Sequence, residues 1–344
     1  MALTLDRIRN IALPVGTGWL LADCLEAKAL QKTWMRRHPY AIDALRDAAL
    51  IQSVESSNRI EGVTVSADRL RPLVVDHARP RNRPEEEIAG YRRALDWIFT
   101  RARTSVVAPS LIRRHHKLAQ HGAADAGRFK ARDNEIIEFT PSGRRVRFKP
   151  TSARQTPIAI RSLCRGYNAL TNDPSAPPLL TVATFVFDFL CIHPFRDGNG
   201  RVSRLLTTLL MQQHGFAIGR YISLERLIED RKEEYYDVLG RCSKNWHDGE
   251  NEIVPWWNFF LGIIRSAHQS LAEQMESPAA RPGKSGQIER AILAAQGSFT
   301  LANIAAQVPA ASPQLIKKVL ASLKRTGRVQ LQGRGRGATW RVIN

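Results

Sequence analysis

Along the first 280 residues, apolar positions recur at the three- and four-residue spacing that gathers them on one face of a helix. Residues 85–103 are the clearest case. Ile88, Tyr91, Leu95 and Ile98 form one stripe behind an acidic first turn that suits a helix N-terminus. Comparable patterns predict helices over 19–36, 41–58, 109–121, 201–213, 224–241 and 254–275. Residues 179–192 differ in being apolar almost all round, as a central buried helix should be. That stretch includes Thr181, Thr184 and Asp188, and it falls short of the roughly 20 residues needed to span a bilayer. The helical rhythm breaks once. Over 136–148, β-branched and aromatic residues flank the turn signal Thr140-Pro141-Ser142-Gly143, which predicts a hairpin.

The C-terminal residues carry a different pattern. Helices are predicted over 287–295, over 300–307 with Thr300 as N-cap, and over 312–326 with Ser312 as N-cap and Pro313 in the first turn. Strands at 328–331 and 338–343 follow, separated by a Gly/Arg turn. Three helices and a two-stranded wing resemble a winged helix-turn-helix, with the third helix as reader and Arg334 and Arg336 in the wing.

Composition narrows the class. A 43% hydrophobic content excludes wholesale disorder, and 344 residues suggest two or three domains. Cys24, Cys164, Cys191 and Cys242 are far apart with no C-x-x-C pair, which points to reduced thiols in a cytoplasmic protein. Residues 1–10 hold no signal-peptide core, and no membrane partner is expected. The histidines show no metal-ligand spacing, so no zinc site is expected. Net charge is +19, unevenly spread: residues 281–344 hold eleven Lys and Arg against the single acid Glu289. The Pro/Gly/Ser-rich residues 277–286 read as a linker. The expected organisation is a helical region over 1–110, a core over 111–270, the linker, and a basic module over 287–344.

The densest chemistry is His193-Pro194-Phe195-Arg196-Asp197-Gly198-Asn199-Gly200-Arg201-Val202-Ser203-Arg204, directly after the buried helix. Gly198 and Gly200 permit a tight loop whose N–H groups converge at a helix N-terminus, an anion site. Arg201 and Arg204, at i and i+3, share a face beside it and suit a polyphosphate. Asp197 is a hard oxygen ligand placed for Mg²⁺, and His193 is the natural general base.

This segment matches every fixed position of H-x-F-x-[DE]-G-N-G-R-x-x-R and so resembles the Fic (Fido) family. The resemblance covers about residues 15–270. It implies a mainly α fold: a Fic/Fido helical core with a β-hairpin flap, here followed by the winged-helix module. The implied activity is transfer of AMP from ATP to a Ser, Thr or Tyr hydroxyl of a target protein, or of the protein itself. His193 would take the hydroxyl proton and Asp197 would hold Mg²⁺. Asn199 with the Gly198 and Gly200 backbone would form the anion hole. Arg201 and Arg204 would bind the β- and γ-phosphates, Phe195 would anchor the loop, and Tyr235 and Tyr236 would lie near the base.

Upstream, Ser57-Asn58-Arg59-Ile60-Glu61-Gly62 resembles the family's inhibitory motif. It implies that Glu61 pairs with Arg204 and displaces the γ-phosphate. The hairpin, with Ile136, Ile137, Glu138 and Phe139, resembles the flap that clamps the target by strand addition. Gly127-Arg128-Phe129-Lys130 resembles a G-x-[YF]-R segment with lysine in the last place, and Ser243 or Asn245 stands where relatives can carry an adenine-pocket asparagine. Association through the helical core, giving a homodimer, is a further expectation. Two alternatives stay open: removal of AMP or transfer of another phosphate-containing group, and a DNA-binding regulator whose Fic site senses nucleotide.

Overall fold

The computed structural model describes the chain except residues 1, 2, 38, 141, 142, 277–283, 296, 326, 334–337 and 344. Pro141, Ser142, most of the expected linker, Arg334 and Arg336 therefore lie outside the described residues, as do the side chains of Glu138 and Phe139. In order, the helices before the hairpin are α1 (Val15–Arg37), α2 (Pro39–Ile60), α3 (Ala67–Val74), α4 (Arg83–Arg101) and α5 (Pro109–Ala119). The hairpin strands β1 (Ile136–Thr140) and β2 (Gly143–Phe148) follow. After them come α6 (Thr156–Leu170), α7 (Pro178–Ile192), α8 (Asn199–Gln213), α9 (Leu224–Asp230), α10 (Lys232–Cys242) and α11 (Val254–Glu276). The C-terminal elements are α12 (Lys284–Leu293), β3 (Ser298–Phe299), α13 (Leu301–Gln307), α14 (Pro313–Arg325), β4 (Val329–Gln332) and β5 (Thr339–Val342). The chain divides into two compact units, residues 1–33 with 45–271 and residues 34–44 with 272–344.

The first unit is built around α7, in which every residue from Leu179 to Ile192 is buried. Burial obliges its polar atoms to find partners. The Asp188 carboxylate accepts from the Thr4 and Leu5 N–H groups at 3.2 and 2.8 Å and from Trp246 Nε1 at 2.7 Å, tying the N-terminal turn to the core. Burial still pushes this carboxyl up to about 6. Trp256 Nε1 donates to the Ala183 carbonyl at 2.7 Å and Trp257 Nε1 to Thr184 Oγ1 at 2.9 Å, so this aromatic run is packing. The four cysteines are buried free thiols. No helix of the described residues is long and apolar enough to cross a membrane.

Local signals explain the helix ends. Asn82 Oδ1 accepts from the Glu85 N–H at 3.0 Å, with Pro84, Glu85 and Glu86 in the first turn of α4. The helix predicted over 224–241 is two helices. Arg231 leaves helical geometry at φ −118°, ψ 33°, and its N–H turns to the Ile228 carbonyl three residues back. Its guanidinium then grips Glu234 in the first turn of α10 with two bonds of 2.8 Å. Helices α3 and α6 were not predicted. Strands β1 and β2 pair antiparallel, Ile137 opposite Val146 and Thr140 opposite Gly143.

The second unit contains α12–α14 and a three-stranded antiparallel sheet in the order β3-β5-β4. Ile288, Ile292, Phe299, Ile304, Ile316, Leu320, Leu323 and Val329 form its core. Thr300 and Asn303 make a reciprocal capping box on α13, and Ser312 Oγ accepts from the Leu315 N–H at 3.3 Å. The strand β3 is an addition to the two expected. Phe299 buries its ring in this core, which brings its backbone to pair opposite Trp340.

Candidate active site

The loop between α7 and α8 is shaped by two left-handed residues. His193 caps α7 at φ 50°, ψ 62°, and Gly198 opens α8 at φ 78°. Left-handed backbone is strained for a non-glycine residue, by about 1–3 kcal/mol, and persists only where the surroundings enforce it. Here they do. Phe195 is fully buried with its ring stacked on His116 at 3.7 Å. Asn199 Oδ1 accepts from the Phe195 N–H and Asn199 Nδ2 donates to the Phe195 carbonyl, both at 2.9 Å. The Asn199 side chain thus braces the loop from inside.

Lys130 holds the flanks of His193. Its N–H donates to the Pro194 carbonyl at 2.9 Å, and its ammonium reaches Asn134 Oδ1 at 2.8 Å and the Ile192 carbonyl at 3.3 Å. Burial pushes this lysine down to about 8. Burial, then the nearby Lys130 charge, pushes His193 down to about 4, so its imidazole is neutral near pH 7. Nδ1 lies 3.3 Å from the Leu190 carbonyl, an acceptor only, so Nδ1 carries the hydrogen and Nε2 keeps the lone pair.

The two arginines are separately housed. Arg201 is buried in an ion pair with Glu87, 3.4 Å from Asn58 Oδ1 and 3.7 Å from Asp197 Oδ2, while its Nε has no hydrogen-bond partner among the described residues. Arg204 Nε donates to Ser57 Oγ at 2.8 Å, and its terminal nitrogen donates to the Ser57 carbonyl at 2.9 Å and Glu61 Oε1 at 2.8 Å. The Glu61 carboxylate also occupies the space above Gly200, where a Cβ would stand 2.2 Å from Oε1. Gly200 is therefore a glycine because a carboxylate sits against it.

Glu61, Ile136, Ile137, His193, Gly200, Arg204, Tyr235 and Tyr236 line one pocket of about 410 Å³. Ser243 lines it too, whereas Asn245 lines a neighbouring hollow beside Trp246 and His247. Gly198, Asn199 and Arg201 lie in the supporting loop and helix, and Ser57 underlies Arg204. Asp197 Oδ1 accepts from the Gly198 N–H at 2.7 Å and Oδ2 from Gln120 Nε2 at 3.1 Å, while 63% of the side chain remains exposed. Among the described residues no three His, Cys, Asp or Glu side chains form a metal cluster. Mg²⁺ commonly takes only one or two protein carboxylates and completes its shell with phosphates and water, a demand that exposed Asp197 meets.

Several contributors were not foreseen. Glu87 and Asn58 hold Arg201, and Gln120 and His116 hold the Asp197 segment. Arg147 of β2 also lines the pocket, donating to the Tyr236 carbonyl and lying against Gly240 of α10, where a Cβ would meet its Nε at 2.7 Å. An interior glycine in α10 makes room for that guanidinium.

Residues 107–211 match the Fic/DOC family. The chain carries a Fic/Fido domain. Protein adenylyltransferase Fic from Nematostella vectensis is 24% identical over 207 residues, 57% of this chain and 44% of that protein. A Fido domain-containing protein of Dictyostelium discoideum is 27% identical over 127 residues, covering 37% of this chain and 80% of its own length. A probable protein adenylyltransferase of Aquifex aeolicus is 28% identical over 130 residues, 35% of this chain and 40% of that protein. The chain thus spans less than half of the two relatives named as adenylyltransferases. Among solved structures, a Fic family protein from Desulfovibrio desulfuricans superposes with TM-score 0.64 at 19% identity, covering 97% of both chains. A Fic domain signalling protein from Bacteroides thetaiotaomicron gives 0.61 at 21% identity, covering 73% of this chain and 96% of its own. At those identities the likeness speaks for the Fic fold.

Proposed function

We propose that the Fic/Fido domain transfers AMP from ATP to a hydroxyl of a target protein or of itself, and that Glu61 holds it in an inhibited state. The observation that carries this reading is the Glu61 carboxylate resting on Gly200 and bonded to Arg204, inside the pocket that His193 lines. A carboxylate and a phosphate compete for the same guanidinium and the same helix N-terminus. While Glu61 is seated, the terminal phosphates of ATP have no room there.

With Glu61 displaced, Arg204 and the Gly200 backbone would receive the β- and γ-phosphates, and the unpaired Arg201 Nε offers a further donor. Asp197 would hold Mg²⁺ arriving with the nucleotide, which neutralises charge on the polyphosphate. The target hydroxyl oxygen attacks the α-phosphorus, its proton passes to His193 Nε2, and the bond to the bridging oxygen breaks to release pyrophosphate. Tyr235, Tyr236, Ile136 and Ile137 would wall the base and the entry of the target.

Incubation with α-labelled ATP tests the reading. Charge-assisted bonds are worth about 1.5–3 kcal/mol, so Glu61→Gly should raise covalent labelling about tenfold to a hundredfold. Adding His193→Ala should abolish it. Absence of label in Glu61→Gly would overturn the assignment.

A further inference from the structure

The pocket that His193 lines does not end at its own walls. Arg147, Phe148, Gly240 and Ser243 also line a neighbouring hollow of about 230 Å³. Arg147, Phe148, Ser243 and Lys244 carry that hollow on into a third, of about 450 Å³. The three form one groove between the end of β2 and the end of α10. Its far end is firmly built. The Phe148 and His247 rings stack with centroids 5.6 Å apart, and His247 Nε2 donates to the Lys149 carbonyl at 2.8 Å. Lys149 on one wall and Lys244 on the other are exposed, and neither has an ion-pair partner among the described residues. Arg241 adds a further cation. Of the two acids here, Asp237 already lies 3.8 Å from Arg241, which leaves Asp248 at the far end. The proposed transfer makes no use of Lys149, Arg241 or Lys244.

We infer that this groove seats an acidic segment of the target protein, its carboxylates on Lys149 and Lys244, next to the residue whose hydroxyl enters the His193 pocket. That the occupant is a target rests on the transfer reading above; the charge of the groove does not. A target chain laid along the groove runs extended at about 3.3 Å per residue, so its acids belong within a few residues of the modified hydroxyl. Complementary charge of this kind speeds encounter and sets register and partner choice more than it adds affinity. A nucleic-acid strand is less well served. Single-strand binding stacks bases on exposed aromatic faces, whereas Trp246 is buried and Phe148 and His247 cover one another. Evenly spaced phosphates would also run over Asp248, which scattered carboxylates can avoid.

The test uses the full chain, without nucleotide, and two fluorescein-labelled peptides read by anisotropy at low salt. Each peptide has one tyrosine; glutamates flank it in the first, and glutamines take their place in the second. The glutamate peptide should bind more tightly. Losing two exposed ion pairs should weaken it about threefold to tenfold in Lys149→Ala/Lys244→Ala. The melting temperature of that variant should match the parent, because both side chains are exposed and the Lys149 carbonyl is kept. Lys317→Ala/Lys318→Ala removes as much charge from the second unit and should change the affinity less than about twofold. Four results would each overturn the proposal: equal affinity for the two peptides, unchanged affinity in Lys149→Ala/Lys244→Ala, an equal loss in Lys317→Ala/Lys318→Ala, or an equal loss of affinity for single-stranded DNA in Lys149→Ala/Lys244→Ala. No nucleotide enters the assay, so its failure would leave the adenylyltransferase reading standing. A Glu61→Gly protein that labels nothing with α-labelled ATP while the glutamate peptide still binds would overturn that reading alone, and the groove would keep an acidic protein segment as its ligand.

Discussion

Arg201 and Arg204 expose 2% and 3% of their side chains, and each faces a carboxylate on another helix or at its end: Glu87 for the first, Glu61 for the second. Lys317, Lys318, Lys324 and Arg325 of α14 lie in solvent, with no ion-pair partner among the described residues. Cation for cation, the two sets count the same in the net charge. Their energetics differ, because a buried cation must be paired and hydrogen-bonded, whereas an exposed one is satisfied by water and available to a partner. The buried pair makes the loop between α7 and α8 a structural element as well as a candidate site. The exposed set leaves the fold of the second unit indifferent to it.

Acid should separate the two regions most sharply. His115, His116 and His193 are each pushed down to about 4, chiefly by burial, and His214 and His268 move in the same direction. An unfolded histidine, at 6.5, takes up its proton first, so the stability these groups confer is complete above about pH 6.5 and is lost as the pH falls toward 4. A shift of that size is worth about 3 kcal/mol per histidine. Asp188, pushed up to about 6 by burial, works against the loss by a comparable amount over the same window. Glu225 is also pushed up by burial and acts in the same direction, so the net is five histidines against two carboxyls. Residues 284–343 contain no histidine. Hydrogen exchange between pH 6.5 and 4 should therefore accelerate in α4–α8 while α12–α14 stay protected. Equal loss of protection in both regions would break the comparison.

Arg201→Met is the next largest effect. It takes away the buried partner of Glu87 and leaves that carboxylate only the exposed Arg83, at 3.0 Å, and breaking a buried ion pair costs about 3–5 kcal/mol. Denaturant unfolding followed by tryptophan fluorescence should show that loss, with Glu87→Gln/Arg201→Met recovering part of it. A loss below about 1 kcal/mol, the range of surface pairs, would place Arg201 among the solvated cations.

The amphipathic stripe of residues 85–103, the buried helix 179–192 and the twelve-residue motif were legible because each concentrates its signal in one stretch of chain. The hairpin was legible from its turn residues. Helix α6 carried a readable rhythm, with Ala159, Ile160, Leu163, Cys164, Tyr167 and Leu170 buried, but its β-branched residues and Gly166 dilute helix propensity. Helix α3 has Pro72 inside eight residues, which reads as a breaker. Among the partners of the site, Lys130 stood in a segment resembling G-x-[YF]-R, whereas Glu87, Gln120 and Arg147 left no local trace. Each is a polar residue in an ordinary context, and its role exists only through a neighbour far along the chain, as with Arg201 and Glu87, 114 residues apart. Arg147 had one indirect signature, the interior Gly240 that makes room for it.

The smallest effect is the most discriminating for the tail. Lys317→Ala/Lys318→Ala removes two charges that touch no carboxylate, and exposed substitutions of this kind usually change stability by less than about 0.5 kcal/mol. Alanine has the better helix propensity, so the sign should be neutral to slightly stabilising. Denaturant unfolding of the two proteins at equal salt should therefore give coincident curves. A clear destabilisation would mean that these lysines are structural, as Arg201 is. Coincident curves would show cations that do not matter to the fold, the opposite arrangement to the loop between α7 and α8, where the residues that would bind phosphate also hold the helices together.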